Sequence, residues 1–312
     1  MTSRGNAPEP WAVLPLNGMD ETAWGRLITQ LKNGDCTPFI GAGANGSSLP
    51  NGGELSNEMA GKWGYPFEDR KNLTRVAQYG AIKLSDPVFI KQEICEHLNK
   101  GPSATSSPEP HAFLAKLPIS VYLTTNYDDL ICRSLRENKK EPNQITCPWN
   151  PDITYESRLF ERRGGFNPGP DKPLVYHLHG TLREPSSILV TEDDYVDFMV
   201  NLMEERINSI TRMLPPVVQF ALTRRSLLFI GYSMQDWNFR FFYSALSRAI
   251  PMINRRRHIS VQLAPKVADT DTDVNEVKNG LKMYYERQNI TIFWGTAEEF
   301  FTELGVRMGV AS

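Results

Sequence analysis

Asp20 is followed by Trp24, Leu27, Ile28 and Leu31, apolar residues at the 3.6-residue spacing of one helical face, and its carboxylate can accept from the open amides of a first helical turn. A short apolar run over 37–40 predicts the first strand directly after this helix. Similar runs at 120–125, 174–179, 227–230, 258–263 and 290–293 predict further strands, each preceded or followed by a helical pattern. This alternation predicts an α/β, Rossmann-like fold, a mostly parallel open sheet with helices on both faces. Between about 54 and 117 the pattern is helical throughout, which predicts a helical insertion over the ligand crevice. The segment 141–172, rich in Pro, Gly and Asn, reads as a long loop and candidate lid. No internal repeat is visible.

The chain of 312 residues, 40% of them hydrophobic, suits one large domain or one domain with an inserted cap, and its core needs no staple. Its 34 basic and 36 acidic residues nearly cancel, which argues against a broad surface for DNA or RNA. The cluster Arg255-Arg256-Arg257 reads as a solvated loop. No segment reaches the roughly 18 apolar residues of a membrane span, and the first residues lack the apolar run of a signal peptide, so a cytoplasmic protein is expected. Residues 1–18 are expected to form a flexible N-terminal arm, either free or docked on a neighbouring subunit. Cys36, Cys95, Cys132 and Cys147 lie far apart with no C-x-x-C pair, so neither a zinc site nor a disulfide framework is implied. They read as packing residues rather than nucleophiles.

Candidate chemistry gathers at strand ends, where ligands of open α/β sheets bind. The first strand runs into Gly41-Ala42-Gly43-Ala44-Asn45-Gly46, a G-x-G-x-x-G turn. Glycines there let the backbone approach a pyrophosphate and aim amides at its oxygens, although such turns also close strands for purely geometric reasons. No acidic residue ends a second strand about 20 residues later, where a hydride-transferring enzyme would hold the adenosine ribose. The second strand ends in Thr125-Asn126-Tyr127-Asp128-Asp129. Asn126 offers an acceptor and two donors to a ribose hydroxyl or a water, and Asp128 an acceptor to a carboxamide, while both also suit capping of the next helix. His177 and His179 are read on one face of a strand that ends at Gly180. His179, nearer the crevice, is the candidate base, and His177 reads as a hydrogen-bonded core histidine. A fourth strand ends in Gly231-Tyr232-Ser233-Met234, whose amides and hydroxyl suit a ribose or phosphate.

Taken in order, the G-A-G turn, T-x-N-x-D, the strand ending in H-G and the later G-x-S turn resemble the sirtuin-type NAD-binding domain over roughly residues 25–300. The resemblance is to the divergent bacterial branch, the sirtuin-like NAD hydrolase domains of antiphage defence systems, with Ser48-Leu49-Pro50 leading into Glu54-Leu55. It implies that 19–312 form the NAD-binding catalytic domain, with Asn126 and His179 as the catalytic pair. It implies NAD contacts by Gly41, Ala42, Gly43, Asn45, Thr125, Asp128, Gly231 and Ser233, with Asp128 on the nicotinamide carboxamide. The four-cysteine zinc module and the G-x-P-D-F-R run of the protein deacylases are absent, so no metal is expected and deacylation is disfavoured.

NAD glycohydrolysis needs little machinery. Nicotinamide leaves a cationic N-glycosidic bond as a neutral molecule, so orientation of the ribose, stabilisation of an oxocarbenium-like transition state and activation of water suffice. The resemblance further implies NAD as substrate, a gated effector, a homo-oligomer, and a regulatory partner such as a HerA-type hexameric ATPase or a short Argonaute. The rival reading is a non-catalytic module that binds NAD or ADP-ribose and controls assembly of a defence complex.

Overall fold

The computed structural model describes residues 17–100, 109–153, 161, 166–208, 213–233, 243, 256–265 and 273–310. Seven strands alternate with helices: β1 (Cys36–Ile40), β2 (Val121–Thr124), β3 (Asn143–Thr146), β4 (Leu174–His177), β5 (Ser226–Ile230), β6 (His258–Gln262) and β7 (Ile290–Trp294). They form one sheet in the order β3-β4-β2-β1-β5-β6-β7, and every pairing is parallel. The chain moves from β1 to β2, on to β3 at the edge, back to β4 between β3 and β2, and then crosses to β5 on the other side of β1. That reversal opens a crevice at the carboxyl ends of β1, β2 and β5.

Period-two alternation divides the apolar residues between two layers. Ile40, Tyr122, Val175, Leu228 and Phe293 face a core shared with α1 (Glu21–Lys32), α5 (Glu109–Lys116), α6 (Leu130–Glu137) and α10 (Ala297–Met308). Phe39, Leu123, Tyr176, Phe229 and Ile292 face the opposite core, shared with α7 (Glu192–Asn208), α8 (Pro216–Arg224) and α9 (Val274–Glu286). The expected open α/β sheet with helices on both faces is therefore the fold. Asp20 caps α1 through the Ala23 amide, and Trp24 stacks on Phe300 with ring centroids 5.4 Å apart.

The helical stretch expected over about 54–117 divides in two. Helices α2 (Gly52–Trp63), α3 (Leu73–Leu84) and α4 (Pro87–Asn99) share a small core of their own around Leu55, Met59, Trp63, Val76 and Ile94. This core meets the rest of the domain through Tyr127, Ile188 and Val190. Helix α5 instead packs within the main sheet layer.

Two sequence expectations need correction. The segment 141–172 is not loop throughout, because it contains β3, an edge strand paired only with β4. Its residues Asn143, Gln144, Ile145 and Thr146 are all half-buried, so the alternating apolar signal of a strand is missing. The lid expected in the same segment falls partly on 154–160 and 162–165, outside the described residues. The second correction concerns β4, which ends at His177 rather than at 179; Gly180, at φ 89°, turns the chain there. Of the N-terminal arm, residues 1–16 lie outside the described residues, while the Asn17 carbonyl accepts from the Trp294 amide at 2.8 Å.

Candidate active site

The turn after β1 owes its glycines to the turn after β5. The Gly41 amide donates to the Ile230 carbonyl at 2.8 Å, and the Gly43 amide to the Gly231 carbonyl at 3.1 Å. A Cβ on Gly43 would stand 3.0 Å from the Gly231 Cα, and one on Gly231, which holds φ 76°, only 2.2 Å from the Ala44 nitrogen. Only glycine allows the two backbones to approach so closely. The amides of Gly41 and Gly43, expected to point at a pyrophosphate, are thus bonded to β5 and its turn. Ala42, whose amide has no partner among the described residues, lines the crevice between them.

The Ile40 carbonyl at the end of β1 gathers three donors. The Thr125 amide and the Thr124 hydroxyl each reach it at 3.1 Å, and the Tyr232 hydroxyl reaches it at 2.9 Å. With the phenolic hydrogen committed there, the Thr125 hydroxyl donates to the Tyr232 oxygen at 2.7 Å. Thr125, expected as a ligand contact, is therefore tied into the frame, and Tyr232, which the sequence reading gave no role of its own, is part of that frame and lines the cavity.

Asn126 follows at the crevice floor, nearly buried. Its amide N–H donates to the Thr124 hydroxyl at 2.9 Å, and its carbonyl accepts from His177 Nδ1 at 3.0 Å. The side-chain Nδ2 donates to Asn45 Oδ1 at 3.1 Å, and Asn45 Nδ2 donates in turn to Asp128 Oδ2 at 2.9 Å. The other Asp128 oxygen accepts from the Leu130 amide at the start of α6. Burial raises the Asp128 pKa, opposed by the Leu130 amide and the Asn45 amide. The amide oxygen of Asn126 has no partner among the described residues, which leaves it available to a ligand.

His179 lies just beyond β4, so the expectation that it shares a strand face with His177 does not hold. Its ring meets Tyr195 and Phe198 of α7 edge-on, at centroid distances of 5.5 and 5.7 Å. Neither ring nitrogen has a hydrogen-bond partner among the described residues, and burial depresses the pKa to about 3. The imidazole is neutral across the physiological range and presents a lone pair.

Asn126 and His179 line one cavity of about 1810 Å³, together with Ala42, Gly43, Asn45, Thr125, Asp128, Gly231 and Ser233. Of the predicted site residues, only Gly41 stands behind its wall. Helix α2, capped by Asn51 and Glu54, also lines the cavity.

The SIR2-like domain family matches residues 120–292, which carry the Asn126 turn, His179 and the Gly231 turn. This chain belongs to that family. The SIR2-like domain is 29% identical over 240 residues to NAD(+) hydrolase ThsA of Enterococcus faecium, covering 76% of this chain and 45% of that protein. It is 25% identical over 273 residues to NAD(+) hydrolase ThsA of Acinetobacter baumannii (strain 532279), covering 86% and 50%. The chain thus spans about half the length of the curated relatives it matches. Among solved structures, a mutant Sir2 homologue in complex with 2'-O-acetyl ADP ribose is similar at a TM-score of 0.44 and 15% identity, over 94% of this chain and 99% of that one.

Among the described residues of this SIR2-like domain, no three His, Cys, Asp or Glu side chains are grouped to hold a metal ion, and no helix is long and apolar enough to cross a membrane. All four cysteines are buried and unpaired, as packing residues should be. Burial pushes the Cys36, Cys132 and Cys147 thiols up to about 12.

Proposed function

We propose that this SIR2-like domain is an NAD glycohydrolase that cleaves NAD to nicotinamide and ADP-ribose, with Asn126 and His179 as its catalytic pair. The observation that carries the reading is the pairing of an open amide oxygen on Asn126 with a neutral, unpartnered imidazole on His179 in one cavity. The names of its relatives, NAD(+) hydrolases, supply the substrate class.

In this mechanism Ala42 meets the pyrophosphate and Asp128, through its remaining lone pairs, the nicotinamide carboxamide. Gly231 and Ser233 lie on the nucleotide side of the cavity, and Asn126 Oδ1 orients the ribose hydroxyls or the incoming water. Departure of neutral nicotinamide leaves positive charge on the sugar. A base with a pKa of about 3 is poorly matched to abstracting a proton from a free hydroxyl at neutral pH. It is well matched to water already adding to an oxocarbenium centre, because that adduct is a far stronger acid than imidazolium. His179 therefore orients the water first and takes its proton as the C–O bond forms.

Resemblance to the antiphage branch supports a gated effector that depletes NAD in the bacterial cytoplasm. The same resemblance supports a homo-oligomer released by a regulatory partner such as a HerA-type hexameric ATPase or a short Argonaute.

Chromatography of NAD incubated with the protein, alone and with the product of a neighbouring gene, tests the reading. Nicotinamide and ADP-ribose should accumulate, and Asn126→Ala or His179→Ala should lower turnover by about 10²–10⁴-fold with the fold retained. NAD binding without nicotinamide release under either condition would establish the rival module instead.

A further inference from the structure

His177 is not among the residues that line this cavity. Asn126 stands two residues beyond the last residue of β2, where the sheet no longer fixes the backbone. No backbone amide among the described residues reaches its carbonyl, and no backbone carbonyl its N–H. Side chains take over both: the Thr124 hydroxyl accepts the N–H, and His177 Nδ1 lies 3.0 Å from the carbonyl. Behind the ring, His177 Nε2 lies 3.1 Å from Gln144 Nε2 on β3.

Donor and acceptor arithmetic fixes the arrangement. A carbonyl can only accept, so Nδ1 must carry the hydrogen. The ring is fully buried with its pKa lowered to about 4 chiefly by burial, so it is neutral and Nε2 is an acceptor. Gln144 can satisfy that acceptor only by turning its NH₂ inward, and its own Oε1 is buried with no partner. A buried orphan oxygen is costly, so the amide's orientation is imposed by the histidine.

We infer that His177 is a positioning residue for Asn126: Gln144 donates to Nε2, as the Nδ1–H tautomer requires, and the Nδ1 hydrogen holds the Asn126 peptide so that the Asn126 amide faces the reacting sugar. The inference rests on the reading of the cavity as an NAD glycohydrolase site. One side-chain acceptor on β2 and one side-chain donor on β4 set the pose of Asn126, and a misplacement of about 1 Å can cost as much as 10²-fold in rate. The contact acts on orientation, so its loss should appear in kcat and leave the affinity for NAD nearly intact.

Two substitutions separate positioning from mere filling of the core. In His177→Asn the side-chain NH₂ stands close to where Nδ1 stood and can still donate to the Asn126 carbonyl. In His177→Gln the amide reaches the Nε2 position and abandons that carbonyl. Nicotinamide release under saturating NAD, KM for NAD and the thermal midpoint would be measured for wild type and both variants. The expected result is a kcat about 10–100-fold lower for His177→Gln with KM within about threefold, and recovery to within about threefold of wild type in His177→Asn. Equal kcat for wild type and His177→Gln, or equal losses in both folded variants, would overturn the positioning role while leaving the NAD-cleavage reading intact. A wild-type protein that releases no nicotinamide, alone or with its partner, would overturn both. Should His177→Gln fail to fold, Gln144→Met decides: a severalfold lower kcat at unchanged KM supports the role, and wild-type kcat overturns it.

Discussion

Asn45 and Asn126, 81 residues apart in the chain, are joined amide to amide, with Nδ2 of Asn126 donating to Oδ1 of Asn45 at 3.1 Å. The bond leaves the Asn126 oxygen as the free end of its side chain, and the other end of Asn45 is committed to Asp128. Asn45 thereby sets both the rotamer of the proposed catalytic amide and the charge balance of the half-buried Asp128 carboxyl.

Truncation in Asn45→Ala should therefore act on rate and on stability together. Asn126 would be free to rotate its amide, which is expected to lower the rate of nicotinamide release by about 10–100-fold. Asp128 would lose a donor inside the protein, a loss of about 1–3 kcal/mol. Steady-state kinetics and urea unfolding check the two effects, and a fully active Asn45→Ala would show that Asn126 holds its orientation without this partner.

The close approach of the turns after β1 and β5 gives a sharper structural expectation. Gly231→Ala would place a Cβ 2.2 Å from the Ala44 nitrogen and 2.6 Å from the Gly41 carbonyl, at a backbone φ of 76°. Backbone atoms cannot yield as a side chain would, so a loss of roughly 3 kcal/mol or more is expected. Gly309→Ala makes the control: its φ of 69° is also positive, in the left-handed helical region, but nothing stands within 4 Å of the added carbon, so the cost should be only about 1 kcal/mol. Comparable midpoints in urea for the two variants would contradict the packing of these turns.

Those glycines show how far a linear reading goes. The G-x-G-x-x-G pattern located the turn at the right strand end, but the reason for Gly41 and Gly43 lies in Gly231, far away in the chain. Apolar runs marked β1, β2, β4, β5, β6 and β7 because each is buried on both faces, whereas β3 hides behind Asn143, Gln144 and Thr146 at an exposed edge. Residue type and position near strand ends offered Asn126 and His179 as candidates, and only the resemblance made them the proposed pair. The support beneath Asn126 was not legible, since Gln144 to His177 spans 33 residues and His177 to Asn126 spans 51, and hydrogen bonds at such separations leave no local periodicity.

Three buried histidines and the half-buried His179 make stability depend on pH in a defined direction. Burial lowers the pKa of His111, His177 and His258 to about 4 and that of His179 to about 3. Their unfolded values lie near 6.5, so below that pH the unfolded chain binds protons that the native protein refuses. Their contribution is complete above about pH 6.5 and is lost as the pH falls toward 4, by about 1.4 kcal/mol per pH unit for each group in that window. Asp128 works with the opposite sign, since its raised pKa lets the native state take a proton before the unfolded chain does. Urea unfolding at pH 7, 6 and 5 should show a progressive decline; constant stability across these values would mean that the histidines are not held neutral. Over the same range nicotinamide release from still-folded protein should show no step near pH 6.5 from His179.

The contact of α4 with α7 carries the last expectation. Lys91 Nζ meets Asp194 Oδ1 at 2.7 Å, with side chains only 8% and 13% exposed, and lies 5.3 Å from the Trp149 ring centroid. The other Asp194 oxygen accepts from the Val190 and Thr191 amides, fixing the start of α7 one residue before Tyr195, which packs on His179. Lys91→Met would leave that carboxylate buried and uncompensated, which is expected to cost about 3–5 kcal/mol. Adding Asp194→Asn removes the charge but keeps an acceptor for the two amides, so the double variant should be more stable than Lys91→Met alone. Hydrogen exchange should then locate the damage in α2–α4 and the first turn of α7, with nicotinamide release falling alongside because the packing behind His179 has loosened. If Lys91→Met instead matches wild type in both stability and exchange, the pair does not anchor the helical insertion to the catalytic face.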